Sequence, residues 1–249
     1  MVLDVDVVVF DQGNTLLLDP FPEVLKRQKE EFAKILEKYQ GFKKFTEEEI
    51  KDAWTRVNNA VNYPFCGHFT QEPRLISETL KRLGIVITDS LIASFLDIYR
   101  EGLRKVIEEG PRTQEVRNVL YELKYIRKRL GVFSNDRQDG LEMVLNFMNI
   151  KDMFEYVKTS EELEIEKPDA RVFGHIASHF SDVPRERICY VGDVSSVDID
   201  PAKRAGMKAV LYQVDTPAYR DVIWRDLRPG QTKPDATIKE FSELLDVII

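Results

Sequence analysis

Residues 5–15, VDVVVFDQGNT, open the chain with a β-branched, apolar run that turns polar at Asp11. Such a run is typical of a strand that is buried on both faces of a parallel sheet. In open parallel sheets, ligands bind at the carboxyl ends of the strands. This segment therefore predicts the first strand of an α/β core, with Asp11 at the edge where chemistry takes place.

Four further apolar runs repeat this pattern, at residues 130–133, 156–158, 188–191 and 209–211. Over residues 116–126 and 141–148, apolar residues recur at three- and four-residue spacing, which is typical of amphipathic helices. Strands that alternate with helices predict a doubly wound α/β fold, in which helices cover both faces of a parallel sheet. A last apolar helix is expected over 241–249, packed on this core.

The segment between the first two predicted strands breaks this alternation. Its apolar spacing is helical near residues 23–39, 47–61, 73–83 and 90–108, and no strand-like run appears. Thr46 and Glu49 have the spacing of a capping box, in which each side chain accepts a hydrogen bond from a backbone N–H at a helix start. We therefore predict a core of residues 1–16 and 110–249 that carries an all-helical cap of residues 17–109.

The composition favours a small-molecule partner. The 249 residues contain 36 Lys and Arg against 43 Asp and Glu, a formal net charge of −7, with no long basic block. Nucleic acids and anionic membranes select positively charged surfaces, so neither is expected as a partner. No apolar run approaches the roughly 20 residues that span a bilayer, and the first six residues lack the basic start of a secretory signal. Cys66 and Cys189 form no disulfide framework, so a cytoplasmic location is expected.

Polar side chains at or beyond the predicted strand ends suggest a site. They are Asp11 in FDQGNT, Ser134 and Asn135 in FSND, Lys167 in EKPDARVF, and Asp193 and Asp198 in GDVSSVD. Taken one at a time, each has an ordinary explanation as a turn former or a helix cap. Because the four motifs occur in one order along the strands, they instead predict a single site at the carboxyl edge of the sheet.

This order of motifs resembles the haloacid dehalogenase superfamily of aspartate-nucleophile hydrolases, most of which are Mg²⁺-dependent phosphatases. The family pattern is DxDxT after the first strand, Ser or Thr after the second, a Lys, and GDxxxxD after a later strand. The resemblance runs from residue 5 to about 211, and the predicted helical cap matches the family's insertion between its first two motifs. It implies a phosphatase that acts on a small phosphomonoester.

The resemblance also implies a role for each of these residues. Asp11 is expected to attack phosphorus and to carry an aspartyl-phosphate, which divides one hard displacement into two easier ones. Lys167, Ser134 and Asn135 are expected to hold the phosphoryl oxygens. Mg²⁺ takes oxygen ligands. The ligands implied here are Asp11, the backbone carbonyl of Gly13, Asp193 and Asp198. Asp198 is expected either to bind the ion directly or to contact a residue that does.

Two adjacent positions depart from the family pattern. Gly13 stands where the family's phosphatases have a second Asp, and Asn14 stands where Gly is usual. That Asp protonates the leaving group and then activates the hydrolytic water, which Gly cannot do. General acid–base catalysis contributes roughly 10²–10⁴-fold. We therefore predict a preference for good leaving groups, such as those of acyl and aryl phosphates, unless Gln12, a cap side chain or water substitutes.

Three alternatives to a phosphatase remain open. A 2-haloacid dehalogenase needs no acid because halide leaves without a proton, but that branch of the family uses no Mg²⁺ and lacks the GDxxxxD acids that this chain keeps. A phosphonate hydrolase would need a Schiff-base lysine in the cap, and no cap lysine stands out. Loss of the acid could also mark a protein that binds a phosphorylated ligand without turnover. The predicted partner is thus a small phosphorylated or halogenated metabolite.

Two weaker signals have ordinary explanations. His175 and His179 lie four residues apart on a predicted helix, as two Zn²⁺ ligands would, but no third ligand of matching spacing lies nearby. The Cys-Gly-His sequence at 66–68 could meet substrate, but a plain loop is the preferred interpretation. Trp54 and the neighbouring phenylalanines, Phe65 and Phe69, are expected in the interior of the cap.

Overall fold

A computed structural model of the protein describes residues 2–40, 45–62, 72–215 and 229–248. Its strands are β1 (Val7–Phe10), β2 (Arg129–Ser134), β3 (Tyr156–Thr159), β4 (Ile188–Gly192), β5 (Lys208–Tyr212) and β6 (Ala236–Ile238). They form one sheet in the order β3-β2-β1-β4-β5-β6, and every neighbouring pair is parallel. From β1 the chain adds β2 and β3 on one side of the sheet, and it then returns to add β4, β5 and β6 on the other side. The predicted doubly wound parallel sheet is confirmed.

The described helices fall into two groups. Four long helices lie between β1 and residue 110: α1 (Phe21–Gln40), α2 (Glu47–Asn62), α3 (Glu72–Arg82) and α4 (Asp89–Glu109). The helices that follow are α5 (Pro111–Tyr125), α6 (Gln138–Phe147), α7 (Ser160–Leu163), α8 (Ala170–His179), α9 (Asp200–Arg204) and α10 (Leu244–Val247). The four helices predicted between the first two strands are all present. No helix in the described part of the chain combines the length and the apolar character needed to cross a membrane.

Alternate residues of β1 face opposite sides of the sheet. Val8 and Phe10 belong to an apolar cluster that includes residues of α5 and α6, whereas Val7 and Val9 belong to a second cluster with residues of α8 and α9. All four side chains are fully buried. Because helices cover both faces of the sheet, every position of this strand is apolar, which explains the run of valines.

The four long helices pack on one another through apolar and aromatic side chains. Phe21 at the start of α1 stacks on Trp54 of α2, with ring centroids 3.7 Å apart, and both side chains are buried as expected for Trp54. At the start of α2, Glu49 N–H donates to Thr46 Oγ1 at 3.2 Å and Thr46 N–H donates to Glu49 Oε2 at 2.8 Å. The predicted capping box is confirmed.

The carboxyl-terminal region differs from the prediction in two ways. β6 was not predicted, because a strand of three residues is too short to show a pattern. The helix predicted over 241–249 is wrong: a 3₁₀ turn, Phe241–Glu243, leads into the single turn of α10. The helix ends there because Ile248 is extended and forms a β-bridge with Leu3. Phe241 and Leu244 are buried, so this end does pack on the core.

Candidate active site

The candidate site lies where the sheet changes direction. β1 is flanked by β2 and β4, and the chain leaves β1 toward β2 but returns on the other side as β4. Such a switch point opens a crevice at the carboxyl ends of the central strands. Asp11 follows β1, Asp193 follows β4, and Asp11 N–H donates to Val191 O at 2.9 Å. The strand register thus places two carboxylates that are distant in sequence at one edge.

A buried ammonium group holds the centre of this site. Lys167 Nζ donates to Asp11 Oδ1 and to Asp198 Oδ1, both at 2.7 Å. Its third hydrogen bond is to the Tyr190 hydroxyl, 2.9 Å away. The lysine is 2% exposed, and these bonds use all three donors of its ammonium group. The structure therefore brings three of the predicted site residues into direct contact.

Tyr190 belongs to this cluster, although the sequence motifs did not indicate it. It lies in β4 on the face covered by α8, and its hydroxyl donates to Phe133 O at 3.2 Å. The sequence feature that could have indicated Tyr190 is a tyrosine inside an apolar strand, because a buried hydroxyl needs a hydrogen-bond partner. Burial raises the pKa of Tyr190 well above its usual value. The hydroxyl therefore stays neutral and accepts from Lys167.

Asp198 is placed by an uncommon turn. It lies in a π-helical turn, Ser195–Ile199, between β4 and α9, and such turns are frequent at functional sites. Asp198 Oδ2 accepts from Val194 N–H at 2.9 Å, while Oδ1 accepts from Lys167. Gly192 ends β4 and leaves the space for this side chain, because a Cβ there would lie 2.4 Å from Asp198 Cγ. The glycine of the GDxxxxD motif is thus required by close packing.

The two polar residues after Phe133 have different surroundings. Asn135 Oδ1 accepts from Lys167 N–H at 2.8 Å, and Asn135 Nδ2 donates to Lys167 O at 2.9 Å. This reciprocal pair fixes the backbone that carries the lysine. Ser134 is buried at the end of β2, and its Oγ lies 3.5 Å from Gln12 Oε1. Ser134 therefore lies against the loop that follows β1.

The loop after β1 is a tight turn. Gln12 O accepts from Leu16 N–H and from Leu17 N–H, each at 3.0 Å, and Asn14 N–H donates to Leu17 O at 2.7 Å. Asn14 has a left-handed φ of 51°, a conformation that Asn adopts more readily than most residues. Gly13 has open space around it, because a Cβ there would meet no atom of the described chain within 4 Å.

The cluster carries more negative than positive charge. The Lys167 ammonium group contacts Asp11 and Asp198, the Asp193 carboxylate lies beside these two carboxylates, and all four residues are buried. Burial, opposed by the Lys167 ammonium and reinforced by the Asp198 carboxylate, raises the pKa of Asp11 to about 6. Burial acts to lower the pKa of Lys167, but the two carboxylates outweigh it and hold that pKa well above its usual value. Lys167 is therefore charged at neutral pH.

The three carboxylates fit a divalent cation of the Mg²⁺ type. One oxygen of each lies within 4.8 Å of the others, so all three can reach a common ion. Carboxylate oxygens are the hard ligands that Mg²⁺ prefers. A divalent cation would also balance the excess negative charge of the cluster. Among the described residues, no other group of three His, Cys, Asp or Glu side chains has this geometry.

His175 and His179 have a packing role in place of metal ligation. Both lie on α8 against the Tyr156 ring, at centroid distances of 5.9 and 5.0 Å. His175 Nδ1 lies 3.1 Å from the Tyr156 hydroxyl, within hydrogen-bond distance. The Cys-Gly-His sequence at 66–68, together with Phe65 and Phe69, lies outside the described residues.

Comparison with known proteins agrees with this architecture. Residues 29–212 match the family model for haloacid dehalogenase-like hydrolases. A relative from Methanopyrus kandleri, named glyceraldehyde 3-phosphate phosphatase, is 28% identical over 179 residues, which are 72% of this chain and 73% of the relative. The chain belongs to the haloacid dehalogenase-like hydrolase family, and the resemblance seen in its motifs is confirmed.

Solved structures show the same fold. The HAD hydrolase YfnB from Bacillus subtilis, bound to magnesium, has a TM-score of 0.67 at 18% identity, with 97% of each chain covered. L-2-haloacid dehalogenase from Xanthobacter autotrophicus has a TM-score of 0.64 at 17% identity, with 96% of each chain covered. The fold is thus shared with a magnesium-bound hydrolase and with a dehalogenase, so the reaction must be argued from the site.

Gly192→Ala should lower the free energy of unfolding by about 1–3 kcal/mol, because the new Cβ displaces the Asp198 side chain. Gly174→Ala is the matched control. A Cβ at Gly174 in α8 meets no described atom within 4 Å, and Ala favours a helix over Gly by about 1 kcal/mol, so stability should not fall. Urea unfolding measures both variants, and a Gly192→Ala protein as stable as the wild type would contradict the close packing.

The raised pKa of Asp11 predicts how stability responds to pH in metal-free protein. A carboxyl with a pKa of about 6 in the folded state and about 3.9 in the unfolded state binds its proton more tightly when folded. It therefore stabilises the fold as the pH falls through 6 toward 4. Between about pH 8 and about pH 4.5, the wild type should gain about 2 kcal/mol relative to Asp11→Asn. Urea unfolding of both proteins in EDTA measures this gain. A difference in unfolding free energy between the two proteins that does not change with pH would argue against the raised pKa of Asp11.

Proposed function

We propose that the protein is a Mg²⁺-dependent phosphatase that hydrolyses a small phosphomonoester through an aspartyl-phosphate on Asp11. The observation that carries this proposal is the buried contact of Lys167 with Asp11 and Asp198, beside Asp193. A nucleophilic carboxylate, a fixed positive charge and a set of metal-type ligands are the parts that phosphoryl transfer requires. The name of the Methanopyrus kandleri relative supports the same class of reaction.

Mg²⁺ would be held by Asp11, the backbone carbonyl of Gly13, Asp193 and Asp198. When bound, it would neutralise charge on the phosphoryl oxygens and so reduce the repulsion between the substrate and the carboxylates. The oxygen donors of the cluster and its excess negative charge support this assignment.

The side chains of the cluster would carry the two chemical steps. A carboxylate oxygen of Asp11 attacks phosphorus as the bond to the leaving oxygen breaks, and the electron pair of that bond departs with the leaving group. Lys167 and the Ser134 hydroxyl stabilise the negative charge on the transferring oxygens. Water then attacks phosphorus, which releases phosphate and a proton and restores the Asp11 carboxylate. Asn135 contributes by holding the Lys167 backbone in place.

The leaving group receives no proton from position 13. Gly13 has no side chain, and Gln12 beside it carries an amide that does not ionise and lies against Ser134. Without an acid in this loop, leaving groups that are stable as anions should react fastest. Acyl and aryl phosphates are therefore proposed as the preferred substrates. Glyceraldehyde 3-phosphate, an alkyl phosphate, is the natural comparison because of the relative's name.

We assign control of substrate access to the helical segment. Residues 17–109 would form a cap over the core of residues 1–16 and 110–249, and its closure would exclude water as lids do. The order of the elements supports this assignment, because α1 to α4 follow the loop that begins at Asp11 and precede the return of the chain to the sheet.

Carbon–halogen cleavage is the second candidate function. Gly13 favours it, because halide leaves without a proton, whereas the acidic cluster of Asp11, Asp193 and Asp198 argues for a metal-assisted reaction. Halide release from a 2-haloacid that EDTA does not affect would support this candidate. Thermal stabilisation by a phosphorylated ligand with no product formed would instead support a binding protein.

Phosphate release from an aryl phosphate tests the phosphatase proposal. The wild type should release phosphate with Mg²⁺, and EDTA should stop the release. Asp11→Asn should react about 10³-fold more slowly or worse, because it keeps the shape of the site and loses the nucleophile. Circular dichroism confirms that the variant is folded. Equal rates in Mg²⁺ and EDTA, or an active Asp11→Asn protein, would rule the proposal out.

Gly13→Asp should accelerate hydrolysis of glyceraldehyde 3-phosphate by about 10²-fold or more, with a much smaller effect on an aryl phosphate. The new side chain has room, because a Cβ at Gly13 meets no described atom within 4 Å. Gly13→Asn is the matched control, since it has the same shape but cannot transfer the proton. Alkyl phosphate rates that are equal in Gly13→Asp and Gly13→Asn would show that the missing acid does not limit the reaction.

A further inference from the structure

We propose that Arg112 is a positioning residue that fixes the turn of residues 12–17 behind Asp11. The inference rests on the proposed function, because this turn would supply the Gly13 carbonyl to the metal and joins directly to the nucleophile. Arg112 lies in the first turn of α5, just after the chain leaves α4. Two segments connect the sheet with the four long helices. The 12–17 turn belongs to the segment after β1, and Arg112 belongs to the segment after α4.

The Arg112 guanidinium bridges these two connections. Its Nε donates to Leu16 O at 3.3 Å, and Nη2 donates to Thr15 O. Its Nη1 donates to Glu115 Oε2 at 2.9 Å and to the Tyr212 hydroxyl at 3.2 Å. The side chain is only 12% exposed. One residue thus ties the 12–17 turn to α5 and to the end of β5.

The turn needs a hydrogen-bond donor for its backbone carbonyls because the residues that carry them are buried. Thr15 and Leu16 are fully buried, and the hydrogen bonds that close the turn run to the carbonyls of Gln12 and Leu17. The carbonyls of Thr15 and Leu16 accept from Arg112. A buried carbonyl that loses its partner bears the full cost of its desolvation. Without the guanidinium, the turn would either bear this cost or shift.

Two aromatic rings hold the guanidinium in place. Its central carbon lies 4.5 Å from the centroid of the Phe241 ring and 5.0 Å from that of the Tyr212 ring. A planar guanidinium can lie over a ring while it donates to several acceptors, which the compact ammonium of lysine cannot match. The contact is therefore specific for arginine, and Arg112→Lys should break it while keeping the charge.

Arg112 would act on the reaction through the turn. The backbone of the turn has two anchors to the rest of the core: the hydrogen bond from Asp11 N–H to Val191 O at one end, and Arg112 at Thr15 and Leu16 at the other. Residues 12–14 lie between these anchors. A misplacement of about 1 Å can cost about 10²-fold in rate. Release of one anchor should therefore lower kcat and change KM much less.

Arg112→Lys is the test variant, and Arg117→Lys is its matched control. Arg117 also lies on α5 and also donates from Nε to a backbone carbonyl, that of Met148 at 2.6 Å, but this carbonyl is at the end of α6. Amide hydrogen exchange should be about tenfold faster or more in the 12–17 turn of Arg112→Lys, because local opening sets exchange. The same amides should keep their protection in Arg117→Lys.

Enzyme kinetics gives a second readout. With an aryl phosphate and saturating Mg²⁺, Arg112→Lys should lower kcat about tenfold or more while KM stays within about twofold of the wild type. Arg117→Lys should leave both constants unchanged. Rates are expressed per folded enzyme, with the folded fraction taken from circular dichroism, because partial unfolding alone would also lower the apparent kcat without changing KM.

The outcomes separate the two proposals. Unchanged exchange in the turn together with an unchanged kcat in Arg112→Lys would overturn the role of Arg112. Equally faster exchange across the whole core in both variants would also overturn it, because both arginines would then contribute only general stability. If the wild type releases no phosphate, the proposed function fails, but selective loss of protection in the turn would still support Arg112 as the residue that fixes it.

Discussion

The buried ammonium group of Lys167, between Asp11 and Asp198, is the interaction on which the carboxyl edge of the sheet depends. Both hydrogen bonds are 2.7 Å long, and the lysine side chain is almost inaccessible to water. Removal of one partner from a buried pair typically costs roughly 3–5 kcal/mol, because the other charge is left uncompensated. The surrounding structure therefore has to hold all three groups in contact.

Several features of the fold meet that requirement. The strand order places β1 beside β4, so Asp11 and Asp193 lie at adjacent strand ends. Gly192 leaves room for the Asp198 side chain, and Asn135 holds the Lys167 backbone through two hydrogen bonds. The cluster itself, Asp11, Asp193, Asp198 and Lys167, holds three carboxylates against one ammonium group. A divalent cation would complete the balance, which connects the packing of this edge to its proposed chemistry.

The sequence predicts the parts of this arrangement that depend on local pattern. The valines of β1 indicate a strand buried on both faces, and a polar residue after such a strand, as at Asp11, lies at the functional edge. Tyr190 and Arg112 could not be assigned in this way, because a tyrosine in a strand resembles core and an arginine on a helix resembles surface. The pairing of Asn135 with Lys167 likewise depends on a contact between distant segments. The chemical roles of these residues stay predictions.

The most direct test of Asp11 as the nucleophile is the mass of its peptide after an acid quench during turnover of an aryl phosphate with Mg²⁺. We expect the peptide that contains Asp11 to gain the mass of one phosphoryl group, since a covalent intermediate splits the reaction into two steps. The same peptide from Asp11→Asn should show no gain. Release of phosphate without any adduct on this peptide, or an adduct on a different residue, would contradict attack by Asp11.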